Sequence, residues 1–499
     1  MNKNMYNKFG GKVIASGGFG CVFNPALKCQ GKPREKNRIS KLMTKKYATS
    51  EYNEIKNIKQ GLDKIPNYSN YFLVDNFTIC VPDKLQEHDL ENFEKKCTAL
   101  PKDDITKDNI NESLSKMMLI NMPNGGIPVD DYIYNDGSFE KLIPLNNSLI
   151  QLFNNGIIPM NKQDVYHCDI KDSNVLVNIH NGSIETKLID WGLSTIYTPN
   201  VSQKFPKPWR NRPLQYNVPF SVIIFTDLFV EKYMKYLKNG GKTTYIELKP
   251  FVLEYIYVWI KKRGSGHYKL INSIMFMLFS NEMTDIDEKT RIRMIETEFT
   301  VLMITNYIVE VLIHFTKFRE NGDLNLREYL DTVFIKITDI WGFIMVYFPI
   351  LEILYNNYSK LTQNQLNIFN QLKHIILLYC YNPRIKPIIL DSLNKDLEYL
   401  SKLIKNEKLV DMNSNSNSNS NSNSNSNSNS NSNSNKNAAG VTLNKTFKKN
   451  NVTGLTFIPS SSTHSYFVKM KKSTAKKIKN LILVPNKNKT KRRKNVKTK

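Results

Sequence analysis

The sequence predicts an α+β fold, strand-rich at the front and helix-rich behind, and three observations lead there. Residues 11–45 read as two short strands around a Gly-rich turn, followed by a third strand, Asn37–Met43. Residues 46–60 place Ala48, Tyr52, Ile55 and Ile58 near helical spacing, with charged side chains between them. Residues 221–410 carry apolar helical stretches at 252–260, 270–280, 300–316, 331–355 and 364–380. Strands gathered in one part of a chain and helices in the other give two layers of different make-up, the mark of α+β organisation.

Between these parts, residues 65–113 are polar and mixed, with strands expected near Tyr71–Val74 and loops elsewhere. Ser115–Met122 reads as a buried strand stopped by the turn signal Pro123-Asn-Gly-Gly. After Tyr132 the pattern is helical, interrupted by strand-like residues at 165–195. An Asn-Ser repeat runs from Asn413 to Asn435. It has no apolar area to offset its chain entropy, so residues 411–440 read as a flexible linker.

Charge separates the same regions. The chain of 499 residues carries a net +25, but Val441–Lys499 holds 17 Lys and Arg and no acid, leaving +7 on residues 1–435. Residues 441–499 therefore read as a disordered basic tail suited to non-specific contact with polyanions or nucleic acid. Within it, Lys471–Val484 has the make-up of a short basic amphipathic helix. No groove-reading motif accompanies these cations, which argues against sequence-specific DNA recognition. The apolar run Trp341–Ile350 is broken by Pro349, and no transmembrane segment is expected. The N-terminus lacks a secretory pattern, so the chain is expected to act inside a cell, in cytoplasm or nucleus, or in a virion. Cys21, Cys29, Cys80, Cys97, Cys168 and Cys380 form no CxxC pair, so reduced thiols are expected rather than disulfides or a zinc site.

Four motifs carry chemistry. The turn Ile14-Ala-Ser-Gly-Gly-Phe-Gly-Cys-Val22 lets the backbone approach phosphate oxygens at Gly17, Gly18 and Gly20, where a Cβ would obstruct. Lys41 follows on the third strand. His167-Cys-Asp-Ile-Lys-Asp-Ser-Asn174 sets Asp169, Lys171 and Asn174 close together, and Asp190-Trp-Gly192 comes 16 residues later, after a short strand. The order is that of phosphoryl-transfer sites, where positioning and electrostatics carry the catalysis.

On these residues the chain resembles the eukaryotic-like serine/threonine protein kinase family over about residues 10–220. Within that family it is most similar to the divergent kinases of giant DNA viruses, of the mimivirus type. The resemblance implies a two-lobed protein-kinase-like fold at 8–410, with an N-lobe at 8–122, a C-lobe at 123–410 and a helical insertion at 220–335. It implies ATP and Mg²⁺ as cofactors and a protein Ser or Thr as acceptor. Lys41 would hold phosphates and pair with Glu51, which lies between Ala48 and Ile55 on the helix; Glu54 stays open as the alternative. Asp169 would orient the hydroxyl and take its proton, Lys171 would contact the γ-phosphate, and Asn174 and Asp190 would hold the metal. Residues Ile14, Ala15, Ser16, Gly17, Gly18, Phe19, Gly20, Cys21 and Val22 would cover the nucleotide, and Asn121 and Met122 would form the adenine-binding hinge.

Three departures from the family pattern stand out. Cys168 replaces the Arg that receives an activation-segment phosphate, which implies activity without that phosphorylation. Trp191 replaces Phe. No Glu follows Pro219, so Arg384, the family's partner for it, should find another acceptor or partial exposure. Asp339, in Asp339-Ile-Trp-Gly-Phe, resembles the aspartate that anchors the catalytic loop, with Asp227 as the competing candidate. A kinase-shaped binding or scaffold module is the alternative function, and a small-molecule kinase of related fold the third reading. The four intact residues Lys41, Asp169, Asn174 and Asp190 favour the enzyme.

Overall fold

The computed structural model describes residues 11–417 except 136, 137, 181, 203, 204, 207, 208, 321 and 323. The expected boundary at residue 8, most of the 411–440 linker, the tail at 441–499 and the Lys471–Val484 segment lie outside the described residues.

Five strands form one antiparallel sheet: β1 (Lys12–Ser16), β2 (Gly20–Asn24), β3 (Arg38–Thr44), β4 (Thr78–Cys80) and β5 (Met117–Pro123), in the order β1-β2-β3-β5-β4. Register follows from alternation. Lys41 lies opposite Val22 and Ile120, and Ile39 opposite Met122, so these side chains share one face. Leu42 lies opposite Cys21 and Leu119 on the other face. That second face is closed by Leu85, Leu90, Phe93, Leu100 and Ile110 from the irregular segment between β4 and β5. Helix α1 (Lys45–Leu62) packs Ala48 against Met43 and Ile120 on the first face, and buries Ile55, Ile58 and Leu62 as its period requires.

The expectation of reduced thiols is overturned. Cys21 is bonded to Cys97 and Cys29 to Cys80, across 76 and 51 residues of sequence. Spacing along the chain carried no sign of these pairs, because Cys97 and Cys29 lie outside the strands and meet Cys21 and Cys80 only through the packing of the loops on the sheet. Such crosslinks persist in oxidising surroundings. Cys168 and Cys380 are free and buried. The strand expected at Tyr71–Val74 is not one either. Phe72 makes a single bridge to Leu188, and the Leu73 N–H donates to the Leu188 carbonyl at 3.1 Å. Phe72, Leu73 and Val74 are apolar because they are buried, Phe72 edge-on to Trp191 at 5.6 Å, not because they belong to a sheet.

The rest is mainly helical, with a three-stranded sheet of β6 (Ile127–Pro128), β8 (Val175–His180) and β9 (Ser183–Leu188), and a small pair of β7 (Val165–Tyr166) with β10 (Thr195–Ile196). The helices that position the site are α2 (Tyr245–Arg263), α3 (Gly266–Phe279) and α4 (Ile335–Met345). The last helix, Leu390–Asn417, continues past the boundary expected at 410. Two continuous helices, Glu288–Phe315 and Arg327–Asn356, are long and apolar enough to cross a membrane by length and composition; their most apolar stretches are 56% and 89% buried inside the protein. They build its core, where Trp341 is fully buried against Phe220, Tyr307 and Tyr381.

The crosslinks have a measurable consequence. Peptide mapping without reductant is expected to recover Cys21–Cys97 and Cys29–Cys80, and reductant to lower unfolding stability by about 2–4 kcal/mol per bridge. Free thiols at all four positions would contradict the pairing.

Candidate functional site

The first half of the site lies on the Lys41 face of the sheet. The turn from β1 to β2 closes through the Gly17 N–H, which donates to the Gly20 carbonyl at 2.8 Å. At Gly20 a Cβ would sit 2.4 Å from Met43 Cγ and 2.6 Å from the Leu42 carbonyl oxygen, so only glycine lets β2 approach β3 there. The Lys41 chain runs beside Gly17. Its ammonium donates to both oxygens of Glu51, at 2.8 and 2.7 Å. Burial opposes the Lys41 charge, but Glu51 and then Asp190 more than offset it and hold its pKa above the ordinary lysine value. Glu54 is exposed and instead accepts from Ser50 Oγ at 2.9 Å.

The second half is a loop held from beneath by α4. The Asp339 carboxylate, fully buried, accepts the backbone N–H of His167 at 2.9 Å, that of Cys168 at 2.7 Å and the Asn161 amide at 2.8 Å. Asp227, the competing anchor, begins an exposed helix turn capped by Thr226. One turn on from Asp339, a Cβ on Gly342 would meet the Ile170 carbonyl oxygen at 2.7 Å, so the helix lies directly on the loop. Cys168, at φ +61°, bends the backbone there. The His167 ring bridges onward: Nε2 meets the Ile189 carbonyl at 2.9 Å, and Nδ1 accepts the Asp169 N–H at 3.3 Å. Burial holds its pKa below the ordinary histidine value, which suits a neutral ring with the proton on Nε2.

Asp169 receives four side-chain donors. Oδ1 accepts from Arg212 and Asn217, each at 3.0 Å; Oδ2 accepts from Lys171 at 3.0 Å and Asn174 at 3.2 Å. Burial works against its charge, but Arg212, Lys171 and Asn217 outweigh that and keep its pKa below the usual carboxylate range. Asp190 is exposed, at φ +64°, directly after Ile189, whose N–H donates to the Asn174 carbonyl at 2.9 Å. Trp191 turns inward, edge-on to His167 at 4.9 Å and to Phe72 at 5.6 Å.

Lys41, Glu51, Asp169, Lys171, Asn174 and Asp190 thus belong to one neighbourhood, with Val22 and Met122 on the Lys41 face of the sheet. Other expected residues are engaged elsewhere. Cys21 is crosslinked on the opposite face. Ser16 Oγ accepts the Thr98 and Ala99 N–H groups at 3.1 and 3.0 Å. Phe19 stacks on Tyr47 at 4.4 Å and Ile14 is half-exposed at a bulge in β1, whereas Ala15, opposite Val22, stays on the Lys41 face. Gly18 faces open space. The buried Asn121 side chain accepts from Ser40 Oγ at 2.6 Å, and its carbonyl accepts from Arg38 at 2.9 Å. Strands β3 and β4 flank Asn121 on both edges, so the edge facing β4 opens only beyond it, at Met122.

Arg212 and Asn217 are the site residues that sequence reasoning missed. They lie 43 and 48 residues from Asp169, and no spacing signals the contact. Arg384 meets its expectation: it is half-buried, donates to the Leu378 carbonyl and lies over the Tyr379 ring at 5.6 Å. Among the described residues there is no group of three or more His, Cys, Asp or Glu suited to a metal. The Asn174 amide nitrogen is spent on Asp169, leaving its oxygen and the exposed Asp190 carboxylate as donors. Two hard oxygens fit a Mg²⁺ that takes its remaining ligands from phosphates and water. No protein-family model matches the chain, and no curated protein matches it.

Beside the cluster, Asp172 is buried, and burial followed by Asp130 pushes its pKa up to about 6. The folded state therefore favours the neutral carboxyl, a contribution complete below about pH 4 and lost as pH rises through 6. Asp172→Asn keeps the oxygen that accepts from Tyr216 at 3.0 Å. The variant should match wild type at pH 4 and be more stable by about 2–3 kcal/mol at pH 8, read from urea midpoints; parallel pH profiles would show that Asp172 carries no such cost.

Proposed function

We propose that this chain is an ATP-dependent serine/threonine protein kinase with a two-lobed protein-kinase-like arrangement. The observation that carries the reading is the buried Lys41–Glu51 pair, within electrostatic reach of Asp190. The strand order β1-β2-β3-β5-β4, with α1 following β3, and the anchoring of the His167–Asn174 loop on Asp339 also support it.

Each side chain has a defined task in this reading. Lys41 offsets phosphate charge, and Glu51 keeps its ammonium aimed across the sheet face. Asp190 and the Asn174 oxygen hold Mg²⁺. The ATP–Mg²⁺ pair supplies the transferable phosphoryl group and masks its charge. Asp169 is ionised well below neutral pH, which makes it a weak base. It serves chiefly to orient the acceptor hydroxyl and receives the proton late, as a loose transition state permits. Lys171 and Arg212 place positive charge where the equatorial oxygens develop theirs. The basic tail supplies non-specific polyanion contact.

Lys41→Met and Asp169→Asn should each lower phosphate incorporation into a generic Ser/Thr acceptor by about 10²–10⁴-fold, with circular dichroism unchanged. Labelled ATP and phosphoamino-acid analysis are the readout. Wild-type rates in either variant would refute these roles, and no transfer by the wild-type chain would favour the binding-module reading. Cys168 is a buried thiol whose pKa burial pushes well up, so it provides no cation before Asp169 for an activation-segment phosphate. Phosphatase treatment is accordingly expected to change activity less than twofold, and a large loss would contradict this.

A further inference from the structure

The residues between Pro219 and Asp339 bring a basic corner to the Asp169 side of the site. Helix α2 ends in Lys261-Lys262-Arg263, turns at Gly264 (φ +90°), and α3 starts at Gly266 followed by His267. Trp259 of α2 is buried, and its indole N–H donates to the Arg212 carbonyl at 3.1 Å. The Lys262 ammonium lies over the same indole ring at 5.6 Å. Arg212 spends Nη2 on Asp169 at 3.0 Å and Nε on Gln215 at 2.6 Å. Its Nη1 is buried with no partner among the described residues. That orphan donor is on the guanidinium that touches Asp169, where the reading above puts the acceptor.

Cations at a helix C-terminus are ordinary, since they complement the helix dipole. That explains Lys261–Arg263, but neither the orphan donor nor His267. His267 has its pKa lowered by burial and then by Lys171, with Arg212 and Arg263 adding to the effect, against the pull of Asp169. Positive charge therefore outweighs negative charge across this corner.

Resting on the kinase reading, we infer that Lys171, Arg212, Lys262, Arg263 and His267 read an anionic residue beside the acceptor hydroxyl, so that the substrate is an acidic or already phosphorylated polypeptide segment. A carboxylate or phosphate group is drawn by the cations of this corner, with the exposed Lys262 and Arg263 free to pair with it. Single-stranded nucleic acid fits less well, because it needs exposed rings for base stacking. Here Trp259 is 1% exposed and Tyr268 6%.

The test uses the full chain and three peptides, with the acceptor Ser flanked by Glu, by phosphoserine or by Ala. The two anionic peptides, or one of them, should exceed the neutral one in kcat/KM by tenfold or more, chiefly through KM. Lys262→Glu with Arg263→Glu should shrink that ratio to under twofold; both residues' positions are exposed, and Lys262→Ala with Arg263→Ala is the milder check. Equal kcat/KM for all three peptides in wild type, or a ratio unmoved by charge reversal, overturns the inference. So does an oligonucleotide whose binding is lost on charge reversal while peptide preference stays. The same peptides with Ala at the acceptor, followed by fluorescence anisotropy, separate the two claims. Selective anion binding without turnover keeps the corner and removes the kinase reading; turnover without selectivity does the reverse.

Discussion

The buried Asp339 carboxylate is the constraint on which the site depends. It is fully enclosed and accepts three donors, two of them the consecutive backbone N–H groups of His167 and Cys168. An unpaired carboxylate there would be heavily penalised, so the loop's N–H groups and the aspartate hold each other in place. Two residues on, Trp341 donates its indole N–H to the Tyr216 carbonyl at 2.7 Å. One helix thus fixes both the loop that carries Asp169 and the segment that carries Arg212 and Asn217. The geometry around Asp169 is set from α4 as well as locally, by Lys171 and Asn174.

That dependence on distant elements explains what was readable from the chain and what was not. Strands β1 to β3, α1 and β5 were legible because alternation and helical period write burial directly into local sequence. The choice of Glu51 over Glu54 was legible for the same reason, since Ala48 and Ile55 set the phase of the buried face. Asp339 was legible through the Trp and Gly that follow it, and Gly342 now has a contact reason in Ile170. The disulfides, by contrast, depend on how loops pack on the sheet across 76 and 51 residues of sequence. Arg212 and Asn217 reach Asp169 through a segment held by distant side chains, Trp341 on the Tyr216 carbonyl and Trp259 on the Arg212 carbonyl. Tyr71–Val74 misled because a buried apolar linker and a strand have the same composition.

The two sheet faces show how stability and access are divided. The face bearing Cys21, Leu42 and Leu119 is closed by a segment of short helical turns joined by loops. The crosslinks at Cys21–Cys97 and Cys29–Cys80, with Ser16 Oγ accepting from Thr98 and Ala99, tie that segment down. Constraining the unfolded chain there adds to the stability that burial in so small a sheet supplies. The Lys41 face can then keep a charged pair in its middle.

Asp169 is crowded by donors from its own loop and from the 212–217 segment. Four donors on one carboxylate make it a poor base, and a site built for proton abstraction would be expected to leave it less satisfied. Phosphoryl transfer asks less of the base than of the fixed charges around it, because the attacking oxygen gains little negative charge before the bond to the leaving group is largely broken. If the chain is the kinase proposed above, an ionised Asp169 flanked by Lys171 and Arg212 is better suited to aligning a hydroxyl within a positive field than to pulling off its proton. In that light Arg212 is no spectator. Under the proposed kinase reading, removing its charge would free Asp169 as a base while weakening the field, so the two effects on rate would oppose each other.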